Sequence, residues 1–167
     1  MTTSPIAVRR AGPQDAPALG RLGALLVSLH HGYDAERFIA PTPGTERGYG
    51  AFLASEIERK DAIILVAEQD GEVLGYVYAA IEGHDWMALR GPAGVIHDLM
   101  VDPARRNGGI GGMLLVAALN ALTALGAPRV ILSTAMRNEG AQRLFANAGF
   151  RATMVEMTRE RPDARSE

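Results

Sequence analysis

The stretch that decides this chain is Asp98-Leu99-Met100-Val101-Asp102-Pro103-Ala104-Arg105-Arg106-Asn107-Gly108-Gly109-Ile110-Gly111-Gly112. Its first residues read as the end of a strand that begins at Gly94, and Asp102-Pro103 stops that strand. From Asn107 to Pro128 no charged residue occurs. The glycines occupy the first turn of this uncharged run, and Gly126 and Pro128 end it, so the helical part covers Ile110 to Leu125. Such a helix is ~24 Å long, short of the ~30 Å hydrocarbon layer of a membrane. A helix that is apolar nearly all round belongs inside a larger core. Its N-terminus leaves backbone N–H groups without partners at the positive end of the helix dipole, and glycines let an anion approach them with no Cβ in the way. A strand running through glycines into a buried helix is thus an anion cradle, with Arg105 or Arg106 adding to the local field.

Spacing selects among phosphate ligands. A P-loop requires Lys followed by Ser or Thr after its last glycine, whereas Met113 follows Gly112 here. The dinucleotide fingerprint requires G-x-G-x-x-G, but after Gly109 and Gly111 the third position is Leu114, and no acidic residue stands about twenty residues further on. Both nucleotide classes are excluded.

Working outward, Ile6 to Arg9 reads as a first strand. Asp15 caps a helix to about Leu29, with Leu19, Leu22, Leu26 and Leu29 at helical spacing. His30 to Gly50, rich in Gly, Pro and Thr, reads as a long loop, and a second helix is expected over Tyr49 to Arg59. Two strands, Ile63 to Glu68 and Val73 to Ile81, flank Asp70-Gly71, a strong hairpin signal. After the buried helix, Arg129 to Thr134 is a short strand joined to Gly94–Val101 by a parallel, right-handed crossover. Glu139 to Ala148 is a helix closed by Gly149, Arg151 to Thr158 is expected as a final strand, and residues 160–167 form a charged tail. The expected architecture is α+β in three layers, a mixed and mostly antiparallel central sheet with helices on both faces. A single domain over residues 1–159 follows.

Composition fits one soluble domain. The chain has 167 residues, 47% of them hydrophobic and 22% charged. At this length folding buries roughly 70% of the unfolded surface, enough to dispense with disulfides or a structural metal. There is no cysteine, which excludes thiolate metal sites, disulfide frameworks and cysteine nucleophiles. A net charge of −2 gives no general pull toward nucleic acid or an anionic membrane. The opening Met1-Thr2-Thr3-Ser4-Pro5 has neither the basic start nor the apolar segment of a signal peptide, so a cytoplasmic protein is expected.

Arg106-x-x-Gly109-x-Gly111 resembles the R/Q-x-x-G-x-G/A pyrophosphate loop of the GNAT N-acetyltransferase superfamily. Leu99 to Pro103 is similar to that family's fourth strand. Asn138, Ala141, Leu144, Phe145 and Gly149-Phe150 resemble its second signature, N-x-x-A-x-x-L-Y/F-x-x-x-G-F. The order of elements agrees from Ile6 onward. The resemblance implies acetyl-CoA as acyl donor and an amine as acceptor, with a homodimer as a further family trait. It implies that the backbone of Leu99 and Val101 pairs with the pantetheine arm like an extra strand, with Met100 between them also counted in the cofactor-binding stretch. Amides of Arg106, Asn107, Gly108, Gly109, Ile110, Gly111 and Gly112 would hold the pyrophosphate, and Asn138 and Phe145 would border the cofactor. An N–H near Val101 would polarise the thioester carbonyl.

An acceptor amine attacks only when neutral, so a base must take its proton. His97, four residues before Val101, is the first candidate, because an unperturbed imidazole titrates near ~6.5. Asp98 is the second. In a regular strand the two point to opposite faces, and only a bulge would bring them together. Phe145 stands where many relatives carry a tyrosine that reprotonates the leaving thiolate, which opens an alternative: a catalytically silent acyl-CoA-binding domain. His30, His31, Tyr33, Asp34, Glu36 and Trp86 are candidates for the acceptor side.

Overall fold

The computed structural model describes residues 4–162. Five strands, β1 (Ala7–Arg10), β2 (Ala62–Gln69), β3 (Glu72–Glu82), β4 (Ala93–Val101) and β5 (Val130–Leu132), form one sheet in chain order. The first three pairings are antiparallel and β4–β5 is parallel. This is the mixed, mostly antiparallel sheet expected from the sequence. Asp70 and Gly71 both take positive φ, 52° and 82°, as the turn of a tight hairpin requires.

Four helices cover the sheet: α1 (Ala16–Tyr33), α2 (Thr45–Ile57), α3 (Ile110–Ala124) and α4 (Glu139–Asn147). The two faces alternate along β2. Ile64 and Val66 pack with Leu19 and Leu22 of α1 and Leu53 of α2, while Ile63 and Leu65 pack with Leu114, Leu115 and Leu122 of α3. Both faces of the central strands are therefore dry, which is why β2 and β3 read as continuous apolar runs. No helix is long and apolar enough to cross a membrane among the described residues.

Two expectations fail. The loop placed at His30–Gly50 is only Asp34–Gly44, because α1 continues to Tyr33 and α2 begins at Thr45. Gly48, in the stretch expected as loop, lies inside α2, as does Gly50. A Cβ there would stand 2.7 Å from the Ala16 carbonyl oxygen, and one on Gly20 2.4 Å from that of Glu46. The glycine serves close helix approach. The expected final strand, Arg151–Thr158, is also absent. Those residues are exposed and pair with no strand, leaving Met154, Val155 and Met157 in solvent. Alternating apolar residues make a strand only beside a partner edge, and here Glu156 is instead tied to Arg37 by a two-pronged ion pair. Of the expected charged tail, residues 160–162 are exposed and the remainder lies outside the described residues.

Candidate active site

β4 and β5 run together for three residue pairs only, Gly94–Val130 to Ile96–Leu132. β4 then continues to Val101, paired with β3 on its other side, while β5 has ended. From Leu99 onward the β4 edge that faced β5 thus has no ladder partner. A cleft of about 320 Å³ opens there. Leu99 stands on one side, Ser133 and Thr134 on the other, with Asn138 and Phe145 from α4 and His97 and Asp98 further along β4.

Beyond β4 the chain makes a 3-10 turn over Pro103–Arg105, and Asp102 secures it twice. One carboxylate oxygen accepts from the Ala104 N–H at 3.0 Å, and the other pairs with Arg21 of α1 at 2.7 Å. That guanidinium and the Ala104 N–H hold the carboxyl below its usual range. Asn107 and Gly109 then take positive φ, 65° and 78°, and Gly109 caps α3 with no side chain to satisfy the helix amides. The N–H groups of Ile110, Gly111 and Gly112 have no intrahelical partner by helix geometry. Arg105 is held by Glu72 at 3.0 Å, so Arg106, exposed and unpaired among the described residues, is the cation left beside them.

Gly109 is needed for its positive φ, but Gly111 and Gly112 are not needed by the fold. A Cβ on Gly112 would meet nothing within 4 Å, and one on Gly111 would make ordinary contact with Leu144 at 3.5 Å. In an interior helical position each costs up to ~1 kcal/mol relative to alanine. What they leave open is the approach to bare backbone at a helix N-terminus. The arrangement fits a pyrophosphate bound by amides.

The sequence left open whether His97 and Asp98 share a face, and they do. Tyr78 pairs with Asp98 and Ala79 with Ile96, so His97 is the extra residue of a β-bulge. Its ring stacks on Tyr78 with centroids 4.9 Å apart, and Tyr78 points to the same side as Tyr76, whose hydroxyl donates to Asp98. His97 remains about a third exposed, and its Nε2 lies 2.9 Å from Glu82 Oε1. Asp98 is half-buried, and one oxygen accepts from the hydroxyls of Tyr49 (2.6 Å) and Tyr76 (2.9 Å). Burial raises its carboxyl above the ordinary value, against the opposing pull of those two donors. Both phenols are pushed up by burial and by the nearby carboxylate.

Asn138 is half accounted for by the fold, since its Oδ1 caps α4 by accepting from the Ala141 N–H at 3.1 Å. Phe145 is buried, edge-on to Phe150. Of the residues expected to face an acceptor, His30 lines the cleft with Nδ1 bonded to the Leu26 carbonyl, and Phe38 and Ile39 stand beside it. His31 turns to the Phe38 carbonyl, and Asp34 accepts from the Glu36 and Arg37 N–H groups. Trp86 is outside the cleft: 79% exposed, it stacks on His84 at a separate shallow hollow. Sequence reading missed Tyr49, Tyr76, Tyr78 and Glu82. Two tyrosines at i and i+2 in an otherwise apolar strand were the available signal, whereas Glu82 becomes visible only through the strand register.

The family model described as Acetyltransferase (GNAT) family matches residues 29–150, and the chain belongs to that family. It is 31% identical over 106 residues to an uncharacterized N-acetyltransferase, YhfO, of Bacillus subtilis, covering 62% of this chain and 68% of that protein. It is 28% identical over 159 residues to the mycothiol acetyltransferase of Thermobispora bispora, covering 87% of this chain but only 52% of that relative, about half its length. The fold matches a tetramutant of the BH1408 protein from Bacillus halodurans with TM-score 0.77 at 22% identity, over 92% of this chain and 99% of that one. It matches the aminoglycoside N-acetyltransferase AAC(6')-Iy, solved with CoA, with TM-score 0.73 at 15% identity, over 97% of each chain.

Proposed function

We propose that this protein transfers an acetyl group from acetyl-CoA directly to a primary amine of a small molecule or protein. The observation that carries the reading is the continuity of one surface: a β4 edge without a partner leads to a helix N-terminus whose Gly111 and Gly112 the fold does not require. Acetyl-CoA supplies the thioester. The amides of Arg106 through Gly112, with the Arg106 guanidinium, hold its pyrophosphate. Leu99 and Val101 offer free backbone groups to the amides of the pantetheine arm, an added strand in effect, while Met100 between them pairs with Tyr76 of β3. Asn138 and Phe145 close the opposite side.

His97 acts as the base that takes the proton of the attacking amine, and fixing amine and thioester side by side supplies much of the acceleration. Asp98, occupied by two phenolic donors, holds Tyr49 and Tyr76 against the cleft wall. Phe145 has no proton to give, so the sulfur leaves as thiolate or is protonated by water. The mycothiol and aminoglycoside acetyltransferases among the similar proteins support an amine of a small molecule as the acceptor.

An amine panel with acetyl-CoA and thiol detection tests this reading. Release of free CoA with at least one amine, slowed roughly 100-fold in kcat by His97→Ala, is the expected result. Thermal stabilisation by acetyl-CoA with no thiol released by any amine would instead mark a silent acyl-CoA-binding domain. No stabilisation at all would overturn both.

A further inference from the structure

We propose that Glu82 is the positioning residue for His97, fixing which ring nitrogen is free to take a proton; this rests on His97 being the base. Glu82 ends β3, and its two carboxylate oxygens do separate work. Oε1 lies 2.9 Å from His97 Nε2, and Oε2 accepts from Arg90 Nη2 at 2.5 Å.

Arg90 is itself built into the structure. Its backbone closes a small bridge with Asp85 through two 3.0 Å hydrogen bonds, and its Nη1 donates to the carbonyls of Gly83 (3.1 Å) and Gly91 (3.3 Å). Only 14% of its side chain is exposed. Glu82 is therefore held from behind by a fixed cation and presents its remaining oxygen to the imidazole. The bulge at His97 and the stacking of its ring on Tyr78 set the plane in which that contact is made.

A neutral imidazole carries one N–H and one lone pair. With Nε2–H donating to the carboxylate, the lone pair is on Nδ1, which has no partner in the protein among the described residues. In the transfer, the amine's proton goes to Nδ1 as the new C–N bond forms, and the thiolate departs with the electrons of the C–S bond. The resulting imidazolium, with both nitrogens protonated, keeps its Nε2–H bond to the negative carboxylate. A carboxylate is required for this geometry. Arg90 and His97 meet different oxygens, and in a glutamine one of those two positions becomes an NH2 group that faces a donor instead of accepting from it.

The test is a double-variant cycle on the full chain with acetyl-CoA and the best amine of the panel. Glu82→Gln should lower kcat roughly 10- to 100-fold while the KM for acetyl-CoA stays within about twofold. Glu82→Gln combined with His97→Ala should be no slower than His97→Ala alone, because the carboxylate acts only through the ring. Nitrogen NMR of His97 in the unaltered protein should show the Nε2–H tautomer, which keeps the idea testable if Glu82→Gln does not fold. Unchanged kcat in Glu82→Gln, an equal loss in the His97→Ala background, or an Nδ1–H tautomer would overturn the proposal. If His97→Ala itself keeps full activity, it is the base assignment beneath it that fails.

Discussion

The glycines of the α1–α2 crossing and those of the turn into α3 look alike in sequence and do opposite things. At the crossing, added Cβ atoms on Gly20, Gly23 and Gly50 would stand 2.2 to 2.7 Å from a neighbouring carbonyl oxygen or the Tyr49 ring. At the turn, a Cβ on Gly112 meets nothing and one on Gly111 only ordinary contacts. The first set is demanded by packing inside the chain, since interiors are dense and backbone cannot step aside. The second costs helix stability for no internal return, so its requirement lies in something that approaches from outside. The same residue type therefore separates a structural helix pair from a binding surface.

Substitutions can break this contrast. Gly20→Val should be the most damaging, costing about 3 kcal/mol of stability through overpacking against backbone and lowering Tm by roughly 10 °C, as calorimetry would show. A Tm within a degree or two of the starting protein would mean that the helices are free to separate. Gly112→Ala should do the reverse: Tm rises by roughly 2 °C from helix propensity, while acetyl-CoA affinity in isothermal titration falls at least about 10-fold. Undiminished affinity would remove the reason for glycine there.

The entry to α1 offers a sharper check of the structural side. Asp15 is 5% exposed, paired with Arg9 at 2.7 Å, and accepts from the Gly12 N–H at 2.8 Å. The Arg9 hydrogen bond is the main cause that holds its carboxyl below the ordinary value. A carboxyl depressed in the folded state contributes stability that is present above the unfolded value, about 3.9, and is lost as pH falls through the lower folded value. Urea midpoints should thus drop steeply below about pH 4, and Asp15→Asn should flatten that drop while costing about 2 kcal/mol at neutral pH. Because Arg9 is partly exposed, this is less than a fully buried pair would lose. Equal acid sensitivity in the variant would assign the effect elsewhere, with Asp102 the next carboxyl to examine. The smallest change belongs to Arg106→Ala: about a fivefold loss of acetyl-CoA affinity that fades at high salt, consistent with one exposed charge.

Much of this was readable in the sequence wherever local chemistry decides structure. Asp70-Gly71 marks a hairpin through its positive φ, Asp102-Pro103 ends a strand, and the spacing of Gly109 and Gly111 excludes the P-loop and dinucleotide fingerprints. Reading failed where distant partners decide. The Gly- and Thr-containing start of α2 resembles loop until α1 lies against it, and Arg151–Thr158 resembles a strand until no edge receives it. The bulge at His97 is equally invisible, since one extra residue in a register leaves no mark in the residues themselves. Glu82 and His97 are fifteen positions apart in sequence, and only the pairing of β3 with β4 brings them together.

The central claim is that backbone amides at the start of α3, and the free β4 edge, hold acetyl-CoA. Amide hydrogen exchange with and without acetyl-CoA measures this directly. The account predicts new protection at Ile110, Gly111 and Gly112 together with the Leu99–Val101 segment. Binding that leaves those amides exchanging as before, with protection gained elsewhere, would contradict it.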